Sequence, residues 1–391
     1  MGRALSRDEK IDWLQLCRSG GVGPQTFGKL LSRFGNARRA LEELPRLARE
    51  AGGEERWRRC RRDEAEAEFA AIAELGYELL AKGEPGYPER LAEIADPPPL
   101  LIVRGRVELL QQPAVAVVGA RNASANGRMF AHGLARELAE AGVLVVSGLA
   151  RGIDTAAHEG ALAADAPTLA VIASGVDVAY PSDNAELMER IAESGAIVSE
   201  RPLGAVPQAR HFPRRNRLIS GLTLGVVVVE AAPQSSSLIT ARLAAEQGRE
   251  VMAVPGSPLD PRHRGTNQLL RDGATLVESA ADVLAALGPL ARAAQPRSPG
   301  VTARTRNRSA APAPERIRPV HTALPIEPEA NGAADLIGRV CERLGPEPLL
   351  VDELIRQCQA STAEVQRALL ELELDGRLER HPGNRVSLNI G

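Results

Sequence analysis

The chain has 391 residues, a formal net charge of −2, a sequence pI near 6.4 and 44% hydrophobic residues. That length points to two or three domains around one sizeable core, and the near-neutral balance excludes a surface-wide positive field as the means of holding a polyanion. Four separated cysteines argue against disulfides and structural zinc, and with no apolar run of about 18 residues and no apolar stretch in MGRALSRDEK, a cytoplasmic location without a membrane partner is expected.

Residues 8 to about 81 read as helical, because IDWLQLCRS, TFGKLLSRF and the charged stretch 54–80 are separated by glycine-containing turns. An all-α module over residues 1–83 is expected. Its GVGP turn, 21–24, is of a kind that holds a phosphate in helix-hairpin-helix elements, but Gly-Pro turns commonly only join helices, and a plain connection is expected here. A Pro-rich strap, 84–99, leads into short Val-rich runs at 114–118, 143–147, 168–173, 196–199, 225–230 and 251–254. Continuous apolar strands suit a sheet covered on both faces, and the amphipathic helices between them (127–141, 185–194, 238–247) predict parallel strands with right-handed crossovers. Residues 84–290 are therefore expected to form a doubly wound α/β domain.

Residues 291–332, with seven prolines and no hydrophobic periodicity, are expected to be a disordered linker. Residues 333–391 read as three helices and a strand pair, a winged helix. Ten acids stand against seven arginines there, and the third helix, from Ser361 to Leu374, carries three Glu and one Arg. A protein contact is expected of this unit ahead of groove reading.

In a doubly wound sheet, ligands bind beyond the carboxyl ends of the strands. Here those ends read Val118-Gly119-Ala120-Arg121, Ser147-Gly148-Leu149-Ala150-Arg151-Gly152-Ile153-Asp154 and Ser174-Gly175-Val176-Asp177, with Ser235, Ser236 and Ser237 after Glu230. Small residues let backbone amides approach a ligand, and helix N-termini favour an anion. Beside them, residues 201–229 carry five arginines and one histidine with no Asp or Glu, centred on RHFPRRNRLISG, 210–221. Cations along a groove with a ring for a base to stack on are what single-stranded nucleic acid requires. The bland alternative is arginine on a solvated loop with Phe212 plugging the core, since the chain has only three lysines against forty-five arginines.

A nucleotide cofactor has specific needs that this chain does not meet. GARNASANG lacks the GxGxxG spacing, the second strand ends in Ser147-Gly148 rather than an acid, and no GxxxxGK[ST] occurs. No cofactor and no metal are expected. Asp154, His158, Asp177 and Glu230 are candidate acid-base groups and Ser147 or Ser235 candidate nucleophiles, but none sits in a nucleophile elbow, so no catalysis is expected. Asp154 is expected to cap its helix, one turn from His158. The competing expectation is a hydrolase of nucleoside monophosphates with Glu230 as general acid or base. A third is scaffolding through the winged helix.

The blocks VGAR, SGLARGIDTAAH, SGVDVAYP, SERPLG, HFPRRNRLISGLT, VVVEAAPQSSSLITARLAAEQGREVMAVPG and GTNQLLRDGA resemble, in order and spacing, those of the bacterial DNA-processing DprA/Smf family. The flanking modules are similar to the SAM-like N-terminal and winged-helix C-terminal units that the family can carry. The resemblance implies an extended Rossmann-like domain that holds single-stranded DNA without catalysis and forms homodimers. It also implies protection of incoming strands in natural transformation and loading of the RecA recombinase. Carried onto matching positions, it implies backbone-phosphate contacts by Arg121, Arg214 and Arg217, with Arg210 beside them. Gly119 and Ala120 would present amides, Phe212 would stack on a base within the block that includes Asn216, and Ser235, Ser236 and Ser237 would cradle a phosphate near the Ser147-Gly148 turn. Two positions depart from the family pattern: Ala120 stands where serine is frequent and Ser236 where glycine is usual. A positive φ at Ser236 would cost about 1 kcal/mol. Four arginine contacts imply a log-log salt slope of about −3, at roughly 0.7 per neutralised phosphate.

Overall fold

In the computed structural model, which describes residues 3–50, 58–293 and 333–388 except 346, 359 and 375–377, Ser6 opens the first helix with a capping box. Its hydroxyl accepts from the Glu9 amide while the Glu9 carboxylate accepts from the Ser6 amide. Helices α1 (Arg7–Arg18), α2 (Pro24–Phe34), α3 (Ala37–Glu50) and α4 (Arg62–Glu74) follow. The GVGP turn joins α1 to α2 and places Pro24 in the first turn of α2, where its missing N–H leaves no hydrogen bond unmade. Leu16, Phe27, Leu41 and Leu44 bury a core of their own, whereas Ile11, Leu14 and Ile72 join a core shared with the central sheet.

The central unit comprises β1 (Glu78–Ala81), α5 (Glu89–Ala92), β2 (Leu100–Gly105), β3 (Ala114–Val118), α6 (Ala125–Glu140), β4 (Leu144–Ser147), α7 (Ile153–Ala163), β5 (Thr168–Val171) and α8 (Ala185–Ser194). It continues with β6 (Ala196–Ser199), α9 (His211–Leu222), β7 (Gly225–Val228), α10 (Ser236–Glu246), β8 (Glu250–Ala253), α11 (Arg264–Arg271), β9 (Thr275–Leu276) and α12 (Ala280–Ala293). Its nine strands run in the order β1-β2-β6-β5-β4-β3-β7-β8-β9. Strands β3 to β9 are parallel, while β2 pairs antiparallel with β6, and β1 antiparallel with β2.

The doubly wound core appears where the Val-rich runs place it, with a correction at one edge. Residues 78–81, read as the end of the helical module, are a sheet strand, and 100–105 pairs with them. Glu, Leu and Ala are helix formers, so nothing local marks ELLA as a strand; tertiary pairing decides it. Every residue of β3, β4, β5, β6 and β7 is buried, as a sheet covered on both faces demands. Leu218 and Ile219 of α9 with Ala241 of α10 cover one face; Ala131 of α6, Ile153 of α7 and Val283 of α12 cover the other. The chain leaves β3 for β4 on one side and returns to β7 on the other, so the switch point lies at the loops after β3 and β7.

Helices α13 (Ala333–Arg343), α14 (Val351–Cys358) and α15 (Thr362–Leu374), with β10 (Leu349–Leu350), β11 (Leu378–His381) and β12 (Arg385–Leu388) in the order β10-β12-β11, form the winged helix. It packs on the central unit. Ala125 at the start of α6 belongs to its apolar core, and the Gln357 side chain accepts from Arg128 Nη2 at 2.6 Å and donates to the Ala125 carbonyl at 3.4 Å. The expected linker lies outside the described residues beyond Ala293, where α12 ends.

Candidate nucleic-acid interface

Strand β4 delivers Ser147 to the sheet edge fully buried, its hydroxyl donating to the Val117 carbonyl at 2.7 Å. It ties two strands, with its hydroxyl spent inside the sheet, which corrects its expected place in the site. Gly148 follows because the Arg215 guanidinium lies against it: Nη1 donates to the Val171 carbonyl at 2.7 Å, and a Cβ at 148 would overlap that nitrogen. The loop then turns through Leu149 (φ 55°) and Gly152 (φ 82°) into α7. Asp154 does not cap that helix, whose N-cap is Gly152; its Oδ2 accepts from the Gly148 and Ala150 amides at 3.1 and 3.3 Å and so pins the loop. Burial pushes the Asp154 carboxyl up while Arg215 pulls it down, and burial brings the Arg215 guanidinium down to about 10.

His158 pairs not with Asp154 but with Thr168, Nδ1 to Oγ1 at 2.8 Å. The Thr168 hydroxyl donates to the Val145 carbonyl, so Nδ1 carries the imidazole proton and Nε2 is buried without a partner. Burial, reinforced by the Arg215 charge, lowers its pKa to about 3. Below the ordinary imidazole pKa the unfolded chain takes up a proton that the folded chain refuses, so this group's contribution is full at neutral pH and drains as pH falls. The expected loss is about 2 kcal/mol between about pH 6.5 and about pH 5. Urea titrations at the two pH values, repeated on His158→Gln, check it: the variant should lose that part of the pH dependence, separating it from Asp154, whose raised pKa acts in the opposite direction.

Glu230, at the end of β7, is fully buried. Its carboxylate accepts from the amide and hydroxyl of Ser124, the N-cap of α6. It holds the loop after β3 against the loop after β7. A carboxylate sealed in this way cannot reach a substrate, which removes the acid that the hydrolase expectation needs.

The arginine block divides between interior and rim. Arg217 is 5% exposed and pairs with Glu200 at the end of β6 and with Asp96 of the strap at 3.2 Å. Its charge is already answered, so the phosphate contact expected of it is withdrawn. Asn216 is also buried, its Nδ2 donating to the Ser236 carbonyl at 3.2 Å, so it ties α9 to the serine loop. Arg210 and Arg214 are exposed, and with half-buried Arg201 they surround His211. Burial lowers the pKa of both Arg201 and His211, and repulsion from neighbouring arginines lowers each further, although Glu200 offsets part of the effect at Arg201.

Arg121, exposed after β3, lies over Phe212 with its guanidinium carbon 4.8 Å from the ring centroid. Phe212 in turn meets Tyr180, with centroids 5.7 Å apart and planes at 49°. Among the described residues, no carboxylate lies in ion-pair range of Arg121, Arg210 or Arg214. Gly119, Arg121, Phe212, Asn216, Ser236 and Ser237 line one small depression. Ser235 caps α10, accepting from the Ser237 amide, and its hydroxyl lies 2.6 Å from that of Ser237. Ser236 begins the helix without a positive φ, so the strain anticipated for a non-glycine there is absent. Ala120 spends its carbonyl on the Ile153 amide. Beside this depression opens a cleft of about 940 Å³ lined by Arg121, Gly148, Arg151, Tyr180, Phe212 and Arg343 among others.

Three family models match along the chain: a DprA-like N-terminal HHH domain over residues 7–71, the DNA recombination-mediator protein A over 78–288 and a DprA winged helix domain over 325–384. The chain belongs to the DprA/Smf family. Protein Smf of Synechocystis is 30% identical over 97% of this chain and 99% of its own, and the DNA processing protein DprA of Streptococcus pneumoniae is 47% identical over 51% of this chain and 70% of its own. The X-ray structure of the Streptococcus pneumoniae DprA matches with a TM-score of 0.60 at 37% identity, covering 72% of this chain and 98% of that one. The DprA of Helicobacter pylori, whose structure is described for its single-stranded DNA binding mode, matches with a TM-score of 0.50 at 31% identity, covering 55% and 96%.

Within this DprA/Smf chain, sequence reasoning missed Tyr180 and Arg201 as neighbours of the rim. Tyr180 has a readable signal, an aromatic in the polar loop after the third strand of a chain with only three tyrosines. It is 48% exposed and offers the open ring face, whereas Phe212 is covered by Arg121.

Proposed function

We propose that the protein holds single-stranded DNA in this cleft, without catalysis, as part of DNA processing in natural transformation. The observation that carries the reading is Arg121 over Phe212 in the Phe212–Tyr180 ring pair, with Arg210 and Arg214 exposed at the start of the helix that carries Phe212; among the described residues none of the three has a carboxylate in ion-pair range. Phosphates meet the arginines and the Ser235 to Ser237 helix start, with Gly119 and Ala120 close to the backbone; a base stacks on Tyr180. Family membership and the strand-binding description of the Helicobacter pylori relative support this ligand. Homodimerisation through the Rossmann-like domain, protection of incoming strands and hand-over to the RecA recombinase are proposed on the same membership, as is a cytoplasmic setting; among the described residues no helix is long and apolar enough to cross a membrane.

Fluorescence anisotropy of a labelled oligothymidine of about 6 nucleotides against its duplex, at two ionic strengths, tests the reading. With Arg217 set aside, three phosphate contacts give an expected log-log slope of about −2 for the single strand. Equal affinity for the duplex, or a flat slope, would overturn it.

A further inference from the structure

The winged helix does not merely neighbour the cleft; it forms part of its wall. The end of α13 places Glu342 and Arg343 among the residues lining it, together with Arg121, Arg128 and Arg151. Arg262 of the central unit fixes that end by donating to the carbonyls of Glu342 and Leu344 at 3.3 and 3.4 Å. Gln357 of α14 fixes the other side through Arg128 and Ala125.

The guanidinium groups of this cleft are unequally provided for. Arg151 has Asp183 at 2.9 Å. Arg128 gives one nitrogen to Gln357, but its Nε is buried with no partner, and among the described residues neither Arg128 nor Arg343 has a carboxylate in ion-pair range. The two are close enough to repel: burial, then Arg343, brings the Arg128 guanidinium down to about 10. Two cations from separate units that line one cleft and repel, offset at Arg128 in part by the more distant Glu159 and Glu230, with Glu342 beside Arg343, favour an anion between them. The cleft that both line is also lined by Arg121, Phe212 and Tyr180, so a chain of phosphates leaving that rim comes within reach of both.

We propose that Arg128 and Arg343 form a two-arginine clamp for a backbone phosphate of the bound single strand, so that the docked winged helix is a working part of the strand-binding cleft. The proposal rests on the strand-binding reading above and extends it to a contact that the Rossmann-like unit does not make alone. It also gives an acidic winged helix a nucleic-acid contact through one positioned arginine at the end of its first helix rather than through groove reading by its third.

The test uses the full chain and labelled oligothymidines of about 6 and about 15 nucleotides. Arg343→Gln should weaken binding of the longer strand about tenfold at low salt and make its slope shallower by about 0.7, with little change for the shorter one. Arg343→Glu should weaken it further, and Arg343→Gln should do less when Arg128→Gln is already present, because both serve one phosphate. If Arg343→Gln and Arg343→Glu leave the longer strand's affinity and slope unchanged while rim substitutions still abolish binding, the clamp is refuted and the strand-binding reading survives. If the unaltered protein binds neither oligonucleotide, both fall.

Discussion

Replacing Arg121 and Arg214 together by alanine is expected to weaken binding of a short oligothymidine about 100-fold at low salt. The log-log slope should flatten from about −2 to about −0.7. Both side chains are exposed and carboxylate-free, so their removal costs the fold little and the urea midpoint should hold within about 0.5 kcal/mol. Arg217→Ala is the opposite case. It strips the partner from Glu200 and Asp96, and because both carboxylates retain some solvent the expected cost is about 2 kcal/mol of stability, with the salt slope unchanged. Anisotropy and urea denaturation on the two variants therefore separate ligand contact from scaffold. A slope that survives the loss of Arg121 and Arg214 would place the strand elsewhere on the molecule.

Gly148→Ala is expected to destabilise the central unit strongly through the buried charge that it displaces. The added carbon has to displace the Arg215 guanidinium, which would then lose its bond to the Val171 carbonyl and its place beside buried Asp154. Stranding a buried charge in this way costs about 3 to 5 kcal/mol. Gly133→Ala, inside α6 with open space around the new carbon, should stabilise by up to about 1 kcal/mol and controls for backbone effects. Equal urea midpoints for Gly148→Ala and the unaltered protein would show that Arg215 has room to move and that the loop is less constrained than its geometry states.

The sheet was legible because its central strands are continuous Val-rich runs, a pattern that burial on both faces imposes directly on composition. The edge strands were not, because ELLA becomes a strand only through its partner. For the site, the sequence placed the glycine and serine loops at the carboxyl ends of the strands, and the loops after β3 and β7 lie at the switch point. It did not separate Arg214 from Arg217. The two are three residues apart on α9, but burial turns on the strap and β6 supplying Asp96 and Glu200 from far along the chain. Ser147 misled for a similar reason: a hydroxyl at a strand end looks available until the neighbouring strand's carbonyl is in view. Tyr180 lay outside the basic block, and only folding brings it to Phe212.

Arg215 runs from α9 beneath Gly148 to the Val171 carbonyl, with Asp154 fastening the same loop from the other end. This buried lattice is made entirely of the protein's own groups and asks nothing of a nucleotide. Capture should therefore require little ordering of the backbone at the rim, leaving most of the favourable interaction available for affinity and making encounter, rather than rearrangement, the slow step at high ionic strength.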